Sequence, residues 1–507
     1  MASITSITGR LIDTGLGEKA VQGGTRLLYN DAIRRPLLDA SWWMTNLFLR
    51  VGRRHGASDR IDRELQLFAR SIVEAVDRIA GRRAISKDFM AHATLLWLRA
   101  LAGAEQDEAR RRFRDVYGVE PPWVLVVAPT GACNLGCPGC YSGASTGGGS
   151  MPFYALDRLI DEAKKLWGIK VVVFTGGEPF LYRSESKGIL DVIERHPDLL
   201  SLIFTNGTLI DRAAAKRLAT LGTPTVALSV EGLRQSTDAR RGPGAFDRIM
   251  RSLDELHDAG ALPGISMTAT RNNCEEIFSD ELIDFFFDEK SVFYGFVFQY
   301  MPEGREPDPA LMPTPEQRLW MWKRSWEVIE ERKIPLFDFW NHGTMIGGCV
   351  AAGRERGYLY VDWDGNVMPC VFAPYSTCNI HEIHSRGGTL NDAWETPLLA
   401  GIREWQTRHA TCGGAVVSDG AGGGMVCACP VRDHYADFME IIEHSGAKPV
   451  DSSADSCSTN PAFVRQMIDY GRDFATYSRP VLDAEYGQQP PAIWREEDSG
   501  RSPGTPA

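Results

Sequence analysis

Residues 124–143 read Val-Leu-Val-Val-Ala-Pro-Thr-Gly-Ala-Cys-Asn-Leu-Gly-Cys-Pro-Gly-Cys-Tyr-Ser-Gly. An apolar run of strand length opens into a loop that carries Cys133, Cys137 and Cys140, with two glycines and a proline between them. Thiolates packed that closely can wrap one compact metal centre. Three ligands leave one iron of a cubane open, and an open metal position can take a substrate. The plain alternatives are a structural zinc or a cysteine-rich turn. Zinc sites usually close with four ligands, and no fourth Cys or His lies nearby in sequence.

Downstream the same rhythm repeats. VVVFT (171–175), LIFT (202–205), TVALSV (225–230), ISMTAT (265–270) and VFYGFVFQY (292–300) read as buried strands. Helical stretches separate them, near 153–166, 186–195, 211–220 and 245–259. Strand–helix alternation predicts a parallel sheet with crossover helices, in an open sheet or a barrel. Loops at the C-terminal ends of such strands are where sites form.

The motifs fall in those loops. The CxxxCxxC spacing is followed by Gly176-Gly177-Glu178-Pro179 after the second strand, Thr205-Asn206-Gly207-Thr208 after the third and Ser229-Val230-Glu231-Gly232 after the fourth. In this order the chain resembles the radical S-adenosylmethionine (SAM) superfamily over about 120–335. The resemblance implies a partial (β/α)6 TIM-type barrel in an α/β protein. It also implies a [4Fe–4S] cluster on Cys133, Cys137 and Cys140, with SAM chelating the open iron. The cluster's electron would cleave SAM to a 5′-deoxyadenosyl radical, which takes hydrogen from an unactivated carbon. An electron donor such as flavodoxin or ferredoxin is implied with it. Carried over residue by residue, Gly176, Gly177, Glu178 and Pro179 would lie along SAM, with Glu178 accepting from its ammonium. Ser229 and Glu231 would reach the ribose, Arg241 the carboxylate, and Thr205 and Asn206 would line the site or only make the turn. Many members place an aromatic before the third cysteine; here that position is Gly139, and Tyr141 follows. Tyr300-Met301-Pro302-Glu303-Gly304-Arg305 also resembles a segment of related proteins.

A second cysteine set lies further on. Cys349, Gly365 and Cys370 resemble the opening half of the SPASM or twitch extensions, which hold auxiliary iron–sulfur clusters. Tyr358–Asp362 and Asn366–Pro369 predict a hairpin about Asp364-Gly365, which returns Cys370 towards Cys349. One auxiliary [4Fe–4S] cluster on Cys349, Cys370, Cys378 and Cys429 is the expectation, with Cys427 as the substitute ligand and Cys412 a further candidate. Free buried thiols are the alternative. Cys274 and Cys457 stand apart.

Four regions follow: an N-terminal helical region over 1–120, the barrel over 121–335, a small Cys-rich domain over 336–450, and a polar, partly disordered tail over 451–507. In the first, Ile61, Leu65, Phe68, Ile72, Val76 and Ile79 recur at helical spacing. Leu37–Leu49 carries Trp42, Trp43 and Phe48, a face for peripheral membrane contact or for packing on the rest of the protein. The net charge of −11 gives no broad case for nucleic acid. With no secretory pattern in MASITSITGRLIDTG, a cytoplasmic location is expected, where cysteines stay reduced. Peptide, lipid and small-molecule substrates all remain open. A non-catalytic iron–sulfur carrier or scaffold is the reading from another class.

Overall fold

The computed structural model describes residues 14–51, 59–102, 104–409, 426 and 429–486. Six strands alternate with helices: β1 (Val124–Val127), β2 (Val171–Phe174), β3 (Leu200–Thr205), β4 (Pro224–Val230), β5 (Pro263–Ala269) and β6 (Gly295–Gln299). Each pairs in parallel with the next. The helices Phe153–Trp167, Ile189–Arg195, Arg212–Leu221 and Ala245–Ala259 make the crossovers. Asp211 caps one of them, its side chain accepting from the Ala214 amide. This is the partial barrel expected from the motifs.

The strand runs look uniformly apolar because both faces of the sheet are covered. Side chains alternate between the faces. Leu125, Val127, Val172, Phe174, Ile203, Leu228, Met267 and Val297 pack under the crossover helices. Val126, Val173, Tyr358 and Tyr360 line the opposite, inner face, with Leu202 and Phe204 beside them.

The sheet extends past the expected six strands. β7 (Leu336–Asp338) adds to β6, while β8 (Tyr358–Val361) lies parallel to β1 at the other side. β9 (Val367–Met368) returns antiparallel to β8, so the predicted hairpin forms. Asp362 holds its turn by accepting from the amides of Asp364 and Asn366. Among the described residues the sheet has nine strands, in the order β7-β6-β5-β4-β3-β2-β1-β8-β9. The cysteine-rich extension is therefore continuous with the barrel through β8.

Helices Asp31–Val51, Asp59–Gly81 and Lys87–Ala102 lie in the N-terminal region. The buried stripe of Asp59–Gly81 runs through Ile61, Glu64, Ser71, Ala75 and Ile79, leaving Ile72 exposed. Glu64 is fully buried and accepts from Tyr486, Thr344 and Arg60 at 2.6, 2.7 and 3.0 Å. Trp43, Met44, Leu47 and Phe48 are exposed on helix Asp31–Val51. Among the described residues, no helix is long and apolar enough to cross a membrane.

Much of the stretch read as a polar tail is helical: Ser452–Thr459 and Pro461–Tyr486. Phe463, Met467, Phe474, Leu482 and Tyr486 recur at helical spacing and are buried. Residues 487–507 lie outside the described residues. Trp322 and Trp326 pack with Phe474, Leu482 and Tyr486 as core.

A buried charge cluster locks the C-terminal helices to the barrel. Asp433 accepts from Arg318 at 2.8 Å and from Arg432 at 3.0 Å, with all three side chains fully buried. Arg432 also donates to Gln299, at the end of β6, at 2.6 Å. Burial alone would raise the Asp433 carboxyl, but the two guanidinium groups overcome it and hold the group low. Removing one member of such a cluster strands a buried charge, at a cost of about 3–5 kcal/mol. Arg318→Ala is expected to lower unfolding stability by that order in a urea titration, whereas Arg324→Ala, nearer the surface of the same helix, is expected to cost under about 1 kcal/mol.

Candidate active site

The cysteine loop has little regular structure and is held from several sides. The first hold is backbone to backbone. Gly177 donates to the Thr130 carbonyl at 2.9 Å and Glu178 to the Ala132 carbonyl at 2.7 Å. A Cβ on Gly177 would stand 2.2 Å from the Ala132 oxygen, so only glycine permits this approach.

Glu178 is buried and braces the neighbouring turn. Its carboxylate accepts from Phe180 N at 3.0 Å, Thr205 Oγ1 at 2.7 Å and Asn206 N at 2.7 Å. Pro179 opens the short 3-10 turn that follows. Asn206 then reaches the loop: its Nδ2 donates to Asn134 Oδ1 at 2.8 Å and lies 3.8 Å from Cys133 Sγ. Thr205 and Asn206 thus shape the site through the loop.

The second hold is cationic. Arg240 donates to the carbonyls of Pro138 and Gly139 at 3.2 and 3.1 Å, and to Glu231 at 2.8 Å. Arg305 donates to the Cys137 carbonyl at 3.1 Å and also to that of Ala144, while its own amide donates to the Cys140 carbonyl at 2.9 Å. Neither arginine was singled out as a site residue from sequence, although Arg305 lies in a segment noted there. Arg240 is hidden by its neighbour Arg241, and a charge pair on a helix gives no hint that one member reaches back to the loop.

Glu231 is the residue expected to reach the ribose. It is buried, and its oxygens are taken up by Arg240, Arg241 and the Thr268 amide. Arg241 keeps a buried Nε with no hydrogen-bond partner, a donor suited to a carboxylate. Ser229 is half-buried, its Oγ 3.3 Å from Ser266 Oγ.

The donor set fits an iron–sulfur cluster. Cys133, Cys137 and Cys140 are all free thiols. Burial raises the Cys133 and Cys137 thiols, while Arg241 and Arg240 pull Cys137 the other way. Ser142 Oγ lies 3.4 Å from Cys140 Sγ.

Gly139, the departure from the family pattern, has φ +62, and a Cβ there would stand 2.6 Å from the Tyr300 ring. Tyr300, from the end of β6, fills the space beside the loop and is itself buried. Tyr141 turns away from the loop. Its hydroxyl lies 2.5 Å from Thr175 Oγ1, and its ring meets Phe372 at 5.4 Å.

Phe372 leads to the second cysteine set. Cys349, Cys370 and Cys429 line one apolar pocket with Phe339, Trp340 and Phe372. Tyr358 Oη donates to Cys370 Sγ at 2.9 Å, the Phe372 amide to the same sulfur at 3.4 Å, and Gln406 Nε2 to Cys349 Sγ at 3.3 Å. Burial raises all three thiols. Cys378 does not line this pocket; it packs against the core, and burial raises its thiol to about 11. Cys412 and Cys427 lie outside the described residues. Cys274 and Cys457 are buried in the core.

Residues 127–270 match the Radical SAM superfamily. Carrying that family's core on a partial barrel with the cysteine loop at its mouth, the chain is a radical SAM enzyme, a class that works with a [4Fe–4S] cluster and SAM. It is 29% identical over 325 residues to the mycofactocin maturase MftC of Mycolicibacterium smegmatis, covering 61% of this chain and 80% of that protein. It is 27% identical over 325 residues to an AdoMet-dependent heme synthase of Methanosarcina barkeri, covering 58% of this chain and 88% of that one. Among solved structures, SuiB of Streptococcus suis bound to precursor peptide SuiA aligns with a TM-score of 0.46 at 18% identity, over 62% of this chain and 72% of that one.

Two outcomes follow from the loop's surroundings. A non-glycine residue at left-handed φ costs about 1–2 kcal/mol, and at position 139 it also meets Tyr300. Gly139→Ala is expected to lower retained iron and SAM cleavage, and the double variant with Tyr300→Ala to recover only part of either. Glu303 lies in the segment clamped to the loop, and burial raises its carboxyl to about 8. The folded state favours the proton, so stability is fullest below the ordinary value of 4.5 and drains as pH rises towards 8. Glu303→Gln is expected to abolish that slope in Tm measured from pH 5 to 8.

Proposed function

We propose that this radical SAM enzyme abstracts hydrogen from an apolar side chain of a peptide, assisted by a second iron–sulfur cluster on Cys349, Cys370 and Cys429, with Cys427 as the fourth ligand. The carrying observation is the aromatic inner wall that runs between the two thiol sites. Phe204, Phe296 and Phe298 meet one another at 5.5–6.1 Å. Phe298 lies 5.5 Å from Phe339, and Trp340 lies 5.3 Å from Phe372, which touches Tyr141. Such a wall excludes water and favours an apolar group at the reacting position.

When bound, the cluster and SAM supply a 5′-deoxyadenosyl radical able to take hydrogen from an unactivated carbon. The chain's own residues position and protect. Cys133, Cys137 and Cys140 would hold the cluster, and Arg240 and Arg305 fix the loop. The Nε of Arg241 is available to the SAM carboxylate. Gly176, Gly177 and Pro179 keep the backbone close, while Ser229 is within reach of a polar ligand. The second cysteine pocket supports peptide chemistry because its extension resembles those of peptide-modifying family members, and MftC, a relative over most of its length, is named a maturase. A low-potential donor of the flavodoxin or ferredoxin type would feed electrons to the clusters.

Anaerobic protein given SAM and dithionite is expected to form 5′-deoxyadenosine. A peptide deuterated on its apolar side chains should pass deuterium into that product. Turnover of a porphyrin in its place would favour the second reading, which the likeness to the heme synthase supports. No 5′-deoxyadenosine from intact clusters would leave the carrier reading. Iron should reach about eight per chain with two cubanes and fall to about four in Cys349→Ala. Tyr358→Phe, which removes a hydrogen bond to sulfur, should move the auxiliary couple to more negative potential at unchanged iron content.

A further inference from the structure

Away from both thiol sites, His409, His434 and Asp437 converge. His409 ends helix Pro397–His409, His434 caps helix Tyr435–Ser445, and Asp437 lies in the first turn of the latter. One ligand atom from each lies within 4.8 Å of the other two. His409 Nε2 is 3.7 Å and His434 Nδ1 3.8 Å from the same oxygen, Asp437 Oδ2. These separations are too long for hydrogen bonds among the three. They are close to the roughly 3.3 Å between ligands that share a tetrahedral zinc at about 2.0–2.1 Å.

The ligand atoms are also oriented. His409 Nδ1 lies 3.0 Å from the Trp405 carbonyl oxygen. That oxygen can only accept, so in the neutral ring Nδ1 carries the proton and Nε2 is the nitrogen with the lone pair. Metal-binding histidines are commonly fixed this way. The Trp405 indole holds the other groups: Nε1 donates to Asp437 Oδ2 at 2.8 Å. Its ring stacks on His409, with centroids 4.4 Å apart and planes at 15°, and meets His434 edge-on at 5.2 Å. The side chains of His409 and His434 are 14% and 16% exposed and that of Asp437 is 42% exposed.

We infer that His409, His434 and Asp437 bind a divalent cation of the zinc class, apart from the iron–sulfur sites and independent of the peptide reading. Two imidazoles and a carboxylate suit zinc, and leave a position for water. The ion would staple two helices that flank the auxiliary pocket. Gln406, on the first, bonds Cys349, and His434 follows Cys429 by one short helix.

The test uses the full chain with its clusters already reconstituted, dialysed against zinc chloride and read by metal analysis. One zinc per chain is expected for the wild type. The double variant His409→Gln, His434→Gln should bind at least ten-fold more weakly with unchanged iron. Should that variant fail to retain iron, Asp437→Asn and cobalt substitution of the wild type decide the matter. The cobalt spectrum should lack thiolate charge-transfer bands, and Asp437→Asn should weaken cobalt binding. No zinc in the wild type, equal zinc in both proteins, or a thiolate-type cobalt spectrum overturns the assignment.

Discussion

Two backbone hydrogen bonds, from Gly177 to Thr130 and from Glu178 to Ala132, set the position of everything at the barrel mouth. They join the loop after β2 to the start of the cysteine loop after β1. The Glu178 side chain then passes the constraint to Thr205 and Asn206, and Asn206 returns it to Asn134. The circuit is closed and largely buried. A loop with no ladder of its own is thereby fixed as firmly as a strand, which a three-thiol ligand set requires if one iron is to stay open.

Beside that circuit one carboxylate faces two guanidinium groups, so a positive charge is left over. Glu231 pairs with Arg240 and Arg241, and both arginines lie close enough to Cys137 to favour its thiolate. An anionic ligand at the mouth would compete with Glu231 for Arg241, whose buried Nε is the donor left over. Glu231, buried between the two arginines, holds both cations in place in this structure.

The parallel sheet was legible because its strands are short apolar runs separated by helical stretches, and most of them are followed by a motif. Residue types at Cys133, Cys137, Cys140 and Gly176–Pro179 were equally plain, since few other chemistries need them in that order. What the sequence hid was pairing at a distance. Nothing in Tyr358–Val361 announces β1 as its neighbour, and nothing at Gly139 announces that Tyr300 fills its missing side chain. Cys378 shows the limit of spacing arguments: it lies close in sequence to Cys370, yet it packs against the core and is not among the residues that line the pocket. Helix Pro461–Tyr486 was masked by exposed polar residues that dilute a buried stripe of regular period.

The parallel pairing of β1 with β8 has a consequence for motion. Val124 through Val127 are in register with Tyr358 through Val361, so β1 and the hairpin that carries Cys370 move as one body. Hinging of the extension about the barrel would have to unzip the β1–β8 ladder. Communication between the two thiol sites therefore travels across a fixed gap, without docking and release, and the extension is not a module that can be cut away or grafted elsewhere with the barrel left whole.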